Sequence, residues 1–247
     1  MMLAENIRKY RKKDRHSYCM GSFPTFELLH VRPEIIEMIL VHTDLKAEIL
    51  VKLREECKKA DVEIVQSNKL IEKIRDKENC MMAAVFRKYQ SELGHDKNHV
   101  VLVNPGDAGN LGTIIRSCIG FGITDLAVIE PTVDIFEPKV VRASMGAVFR
   151  LNVQCFESYA HYEHEYGGER ENYPFMLNGV YRIGEITPLQ DRAYSLIFGN
   201  ESHGLDSSYL KVGKSIVIPH TRFIDSLNLA TAVGIGIYEF SRHGGFL

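Results

Sequence analysis

The chain has 247 residues, 45% hydrophobic and 25% charged, with five cysteines and a formal net charge of -2. That balance belongs to a globular protein that buries its own core in one large or two ordinary domains. It excludes a disulfide-stapled fold: Cys19, Cys57, Cys80, Cys118 and Cys155 are odd in number and form no C-x-x-C pair, a pattern of the reducing cytosol rather than of a zinc site.

In chain order, six basic residues come first, Arg8, Lys9, Arg11, Lys12, Lys13 and Arg15. Such a run neutralises phosphates or simply stays solvated. "EIIEMILV" (34–41) reads as a strand or helix end, "LKAEILVKLREECKKA" (45–60) as an amphipathic helix, and "VEIVQ" (62–66) as a strand. A short helix is expected at 68–76, capped by Ser67 or Asn68. These elements make a small α/β unit, and the polar stretch 88–98 is read as a linker. A division at residue 97 follows: residues 1–97 carry 19 Lys+Arg against 16 Asp+Glu, and residues 98–247 carry 11 against 16.

The second half opens with the apolar strand "HVVLVN" (99–104), a glycine-rich turn (105–112), a helix (113–122) and the strand "DLAVIE" (125–130). That is the repeating unit of a parallel sheet. "HYEHEYGGEREN" (161–172) is read as an exposed acidic loop, "SLIFG" (195–199) and "SIVIP" (215–219) as strands, and Ser226 to Phe240 as a closing apolar helix. The longest apolar run, Leu229 to Tyr238, is half a membrane span. No apolar signal core follows the basic N-terminus. A cytoplasmic protein without membrane contact is therefore expected.

Three loops directly follow predicted strands: "NPGDAGNLGTIIR" (104–116), "FGNESHGLD" (198–206) and "IPHTRFIDSLNL" (218–229). In parallel α/β sheets ligands collect at the carboxyl ends of strands, so Asn110, Arg116, Glu201, Ser226 and Asn228 are expected to converge on one cleft. The loops match no dinucleotide fingerprint, no P-loop and no nucleophile elbow. His161, His164 and Glu165 are read as solvated, and no metal is expected. His203 and His220 lie near the site and titrate near neutrality as a residue type, but neither is assigned a catalytic role.

In this order and spacing the three segments resemble motifs 1, 2 and 3 of the SpoU (TrmH) methyltransferases of the SPOUT superfamily. "NLGTIIRSCIGFG" carries the Asn and Arg of motif 1 at Asn110 and Arg116. "FGNESHGL" carries the Glu of motif 2 at Glu201, and "IPHTRFIDSLNLATA" carries the Ser-Leu-Asn of motif 3 at Ser226, Leu227 and Asn228. "RASMGAVFRLNV" (142–153) resembles the segment between motifs. The likeness covers residues 98–243. Residues 1–97 resemble, more loosely, the ribosomal-protein-like RNA-binding domain of many members. Motif 3 departs from the pattern at His220, where Met is usual, and at Arg222, where Gly is usual.

The resemblance implies an α/β fold: a parallel-sheet domain over 98–247, tied in a trefoil knot, after a substrate-binding domain over 1–97. It implies methyl transfer from S-adenosyl-L-methionine to a ribose 2′-hydroxyl of RNA, ribosomal RNA being favoured over transfer RNA. It also implies a homodimer built by the C-terminal domain. Gly199, Ile218 and Leu227 match cofactor-binding positions. Arg116 matches the residue that activates the hydroxyl, here by clamping a phosphate and stabilising alkoxide charge, because a guanidinium stays protonated. Asn110 and Asn228 would orient the reactants. Glu201 would fix Arg116 or the loop backbone, and Ser226 would both cap the last helix and serve the site. Two other readings use the same features. A non-catalytic RNA-binding protein would need damage in these motif residues, and a doubly wound nucleotide-binding enzyme would need the missing fingerprint.

Overall fold

A computed structural model describes residues 7–168, 170–189 and 191–243. The chain divides into two compact units, one of residues up to Tyr89 with Asp134–Arg150, the other of Gln90–Val133 and Leu151 onward. This differs from a single cut after residue 97, because residues 90–97 pack with the second unit and 134–150 with the first.

The first unit is built on a four-stranded sheet. Its elements are β1 (His16–Met20), α1 (Ser22–Val31), β2 (Ile36–Val41), α2 (Ala47–Ala60), β3 (Ile64–Gln66), α3 (Asn68–Ile74) and β4 (Met82–Arg87). The order is β1-β4-β2-β3, with β4 antiparallel to both neighbours and β2 parallel to β3. β4 is central because Met82 to Phe86 are wholly buried. α3 is capped by Ser67, whose hydroxyl accepts the Leu70 amide. Residues 134–150, with α5 (Pro138–Ala143), join this unit through specific contacts. Lys88 pairs with Asp134 at 2.8 Å, Arg32 donates to the Phe149 carbonyl at 2.9 Å, and Phe86 meets Phe136 and Phe149 edge-on.

The second unit is a five-stranded parallel sheet of order β7-β6-β5-β10-β8. It comprises β5 (His99–Val103), α4 (Ala108–Gly120), β6 (Asp125–Ile129), β7 (Asn152–Phe156), α6 (Tyr159–Tyr166), β8 (Glu171–Pro174), β10 (Tyr194–Phe198) and α7 (Leu229–His243). A short parallel pair, β9 (Tyr181–Arg182) and β11 (Ile216–Val217), lies beside it. β5, β6 and β10 are buried throughout, as expected of parallel strands covered on both faces. α4 and α7 pack together, burying Leu111, Ile114, Ile115, Val233, Ile237 and Phe240. From β5 the sheet grows one way through β6 and β7, and β10 takes the other side of β5. The direction of growth reverses there, and in such sheets that is where ligands bind.

Three expectations change. α4 begins at Ala108 instead of 113, because the Asp107 carboxylate accepts the Asn110 amide and caps it, and because Leu111 and Gly112 pack inward. Residues 159–166 are helical, where 161–172 was read as a loop; Tyr162 and Tyr166 are buried, and residue 169 lies outside the described residues. Residues 90–98 are a strap, not a free linker: Leu93 is buried and its amide donates to Tyr166 Oη at 3.2 Å.

The amino ends of the strands are closed by a buried polar chain. Arg170 Nη1 donates to Ser195 Oγ at 3.3 Å, and Ser195 Oγ lies 2.7 Å from Tyr162 Oη. His99 Nδ1 lies 2.9 Å from Tyr162 Oη, and its Nε2 lies 2.9 Å from the Gly94 carbonyl. A carbonyl only accepts, so Nε2 carries the proton and Nδ1 accepts from the tyrosine. Burial first, and then the Arg170 charge, push the His99 pKa down to about 4.

An imidazole neutral in the fold but protonated when unfolded stabilises the protein above pH ~6.5, and that stability is lost as pH falls towards the folded value. We therefore expect about 3 kcal/mol of stability to disappear between about pH 6.5 and 4. His99→Gln should lack that part of the loss. Urea unfolding across this range checks it, and equal pH slopes for both proteins would remove His99 as the cause.

Candidate active site

Two strand ends at the reversal of the sheet form the floor of the site. At the end of β5, Asn104 takes a left-handed conformation (φ 54°) and its amide donates to the Glu130 carbonyl at 2.6 Å. This turns the chain into the loop 105–107. At the end of β10 the chain folds tightly on itself from Gly199 to Gly204. A Cβ on Gly199 would lie 2.1 Å from the Gly204 carbonyl carbon, so that position admits only glycine.

Glu201 ties the two turns together. Its carboxylate accepts the amides of Gly106 at 3.1 Å and Asp107 at 3.2 Å, and the Asn110 side-chain amide at 3.2 Å. Burial raises its pKa, but these donors, with the residue's own amide, outweigh burial and hold it below the usual glutamate range. Of the two roles expected for Glu201, holding the loop backbone or holding Arg116, the first is the one formed. Asn200, unnoticed in the sequence, strengthens the join by donating to the Asn104 carbonyl at 2.7 Å. A lone Asn after a strand signals only a turn.

The third loop enters through Asn228, whose Nδ2 donates to Asn110 Oδ1 at 3.0 Å. Its Oδ1 accepts the Thr231 amide at 3.2 Å and so caps α7. The cap expected at Ser226 thus falls two residues later, at the start of the helix proper. Asn228, Asn110 and Glu201 form one hydrogen-bonded row joining all three loops.

Beside this row lies a cavity of about 320 Å³. Gly199, Glu201, Ile218, Ser226 and Leu227 line it, together with Phe175 and Phe198, whose rings stack, and His203 and His220. Backbone groups, apolar walls and a few polar side chains suit an amphipathic ligand of nucleoside size. Arg116 is placed differently. It is exposed on α4, does not line the cavity, and has no hydrogen bond or ion pair among the described residues. Six residues of helix put it about 120° around the axis from Asn110 and about 9 Å along it.

Residues 97–238 match the profile of the SpoU rRNA Methylase family. The chain is 32% identical over 148 residues to the ribosomal RNA small subunit methyltransferase G 2 of Syntrophobacter fumaroxidans, covering 58% of this chain and 27% of that protein. It is 29% identical over 161 residues to the 23S rRNA (guanosine(2553)-2′-O)-methyltransferase RlmP of Bacillus subtilis, covering 64% and 63%. The chain thus spans less than two thirds of the length of these curated relatives. The crystal structure of the SpoU methyltransferase AviRb from Streptomyces viridochromogenes with the cofactor AdoMet superposes with a TM-score of 0.77 over 98% of this chain and 95% of that one. At 21% identity this is a likeness of fold.

Removing the charge at Glu201 should loosen the join. Glu201→Gln keeps one acceptor oxygen and sets an NH2 against amide donors, a loss of about 0.5–1.5 kcal/mol for a hydrogen bond that water can partly replace. Thermal unfolding of the two proteins checks this. A melting temperature equal to that of the wild type would mean the brace contributes nothing.

Proposed function

The chain belongs to the SpoU rRNA methylase family, and from that membership we propose that it transfers a methyl group from S-adenosyl-L-methionine to a ribose 2′-hydroxyl of RNA, ribosomal RNA before transfer RNA. The observation that carries this reading is the row Asn228–Asn110–Glu201 beside the cavity. Each motif contributes one residue to that row. The names of the relatives, as ribosomal RNA methyltransferases, support the substrate class.

In this reading Gly199, Ile218 and Leu227 hold the cofactor, which supplies the methyl group on a sulfonium. Glu201 fixes the loop that meets it. Asn110, Ser226 and Asn228 orient the ribose, and Arg116 holds the adjacent phosphate and stabilises negative charge on the attacking oxygen. Arg116 stands outside its own chain's cavity, which fits a residue that serves the site of a second copy. That arrangement calls for a homodimer through α4 and α7, for which both helices offer a suitable surface. Gly120 and Gly234 have open space where a Cβ would stand, and Ile235 and Tyr238 are exposed on α7.

The trefoil knot is part of the same proposal. Its support is the close parallel run of 172–179 beside 213–217: a Cβ on Gly213 would lie 2.0 Å from the Asn172 carbonyl oxygen, and one on Gly179 2.4 Å from the Ile216 carbonyl carbon. Residues 1–97 are proposed as the RNA-holding part and 98–247 as the methyltransferase part. No helix among the described residues is long and apolar enough to cross a membrane.

The test is single-turnover methylation of ribosomal RNA from cells lacking the gene, at saturating cofactor. Arg116→Ala should lose at least the roughly 10²–10³-fold in rate that one electrostatic stabiliser supplies, with cofactor affinity unchanged. Arg116→Lys should rescue poorly, since an ammonium has no planar fork. A mutant with most of the wild-type rate would take Arg116 out of the reaction.

RNA affinity is tested at the basic run. Arg8 is spared, because it pairs with the nearly buried Asp14 at 2.6 Å. Gln at Lys9, Arg11, Lys12 and Lys13 should weaken RNA binding and flatten its salt dependence, measured by filter binding at several salt concentrations. Unchanged slopes would mean these lysines and arginine stay solvated in the complex.

A further inference from the structure

Methylating a hydroxyl requires that its proton go somewhere, and the groups around the cavity narrow the choice. Arg116 stays protonated and does not line the cavity. The Glu201 carboxylate already accepts from Gly106, Asp107 and Asn110, with the Asn200 amide at 3.4 Å. An anion so well satisfied is a weak base. The remaining titratable groups on the cavity wall are His203 and His220.

His220 is held for the task. Its Nδ1 lies 2.9 Å from the Ile218 carbonyl oxygen. That oxygen only accepts, so Nδ1 carries a proton, and Nε2 is the nitrogen left to take one from a substrate. His220 makes no other hydrogen bond among the described residues. It stands two residues from Ile218 and six from Ser226, and all three face the same cavity. His203 has no orienting bond of this kind among the described residues. Arg222 and Asp225, exposed in the same loop, are the other charged groups near it in the chain.

We propose that His220 is the general base of methyl transfer, a role that rests on the methyltransferase reading above. Nε2 takes the 2′-hydroxyl proton as the oxygen bonds to the methyl carbon. The carbon–sulfur bond breaks, its electron pair stays on sulfur, and the sulfonium becomes a neutral thioether. The imidazolium then returns its proton to water. Arg116 keeps its electrostatic part, so proton removal and charge stabilisation fall to different residues.

The test measures single-turnover transfer from radiolabelled S-adenosyl-L-methionine to ribosomal RNA of cells lacking the gene. Cofactor is saturating, the range is about pH 5.5 to 9, across the span where histidine titrates, and cofactor affinity is measured by calorimetry. The wild type and His203→Gln should both slow on acidification. His220→Gln should bind cofactor normally, run about 10²-fold or more slower at neutral pH, and lack the acid limb. An acid limb that persists in His220→Gln, or vanishes in His203→Gln, overturns the proposal. So does loss of cofactor binding in His220→Gln, which would make His220 a cofactor ligand. A wild type that binds cofactor but transfers nothing would overturn the parent reading, and this one with it.

Discussion

One carboxylate holds the site together. Glu201 sits on the turn after β10 and accepts amides from the turn after β5, which is possible because those strands are neighbours in the sheet. The loop 105–107 has no ladder of its own, so its N–H groups need an outside acceptor, and the anion supplies it. The same carboxylate takes the Asn110 amide, and Asn110 in turn takes that of Asn228. The starts of α4 and α7 are therefore set relative to β10 by a row of side chains, and the cavity wall follows from that row.

The two ends of the second unit's sheet are chemically opposite. At the amino ends of β5, β6 and β10 polar side chains bond to one another: Asp125, fully buried, accepts from Gly94, Thr124 and Asn152, and the Arg170–Ser195–Tyr162–His99 chain closes on the Gly94 carbonyl. Such a network rigidifies a core. At the carboxyl ends, polar groups face a cavity and exposed loops, where a ligand completes them. A parallel sheet allows this asymmetry because all its strands point the same way.

Legibility in the sequence followed burial pattern. β5, β6 and β10 were readable as short all-apolar runs, and α2 by its apolar stripe. β1, α1 and β4 of the first unit were not read. β4 is an apolar run like β5 but half of it is Met and Ala, which favour no strand, and α1 buries Pro24 and Thr25 while leaving Phe23 exposed, so it shows no clean period. α6 was hidden because its polar composition masks Tyr162 and Tyr166, whose burial depends on long-range packing. In the site, Asn110, Glu201 and Asn228 are legible in the sequence, and Asn200 is not. The bonds between them are not legible either, since Asn228 capping α7 and Glu201 bracing a backbone depend on strand order that no local pattern carries.

The placement of Arg116 separates two jobs within one helix. The first turn of α4 faces the row: Asn110 lies there, and Asp107 caps it. Another face of the helix presents an exposed strip of Gly109, Thr113, Arg116 and Gly120, all within about 60° of one another around the axis. Thr113 turns its hydroxyl back to the Gly109 carbonyl, so the strip is short, smooth and carries a single charge. The guanidinium there does not line the cavity of its own chain, and the opposite face of the helix is core. Arg116 is well placed, however, to enter a site approached from outside. In the proposed reaction the site would therefore be finished by a second surface, leaving each chain's own loops to hold the cofactor and to take the proton.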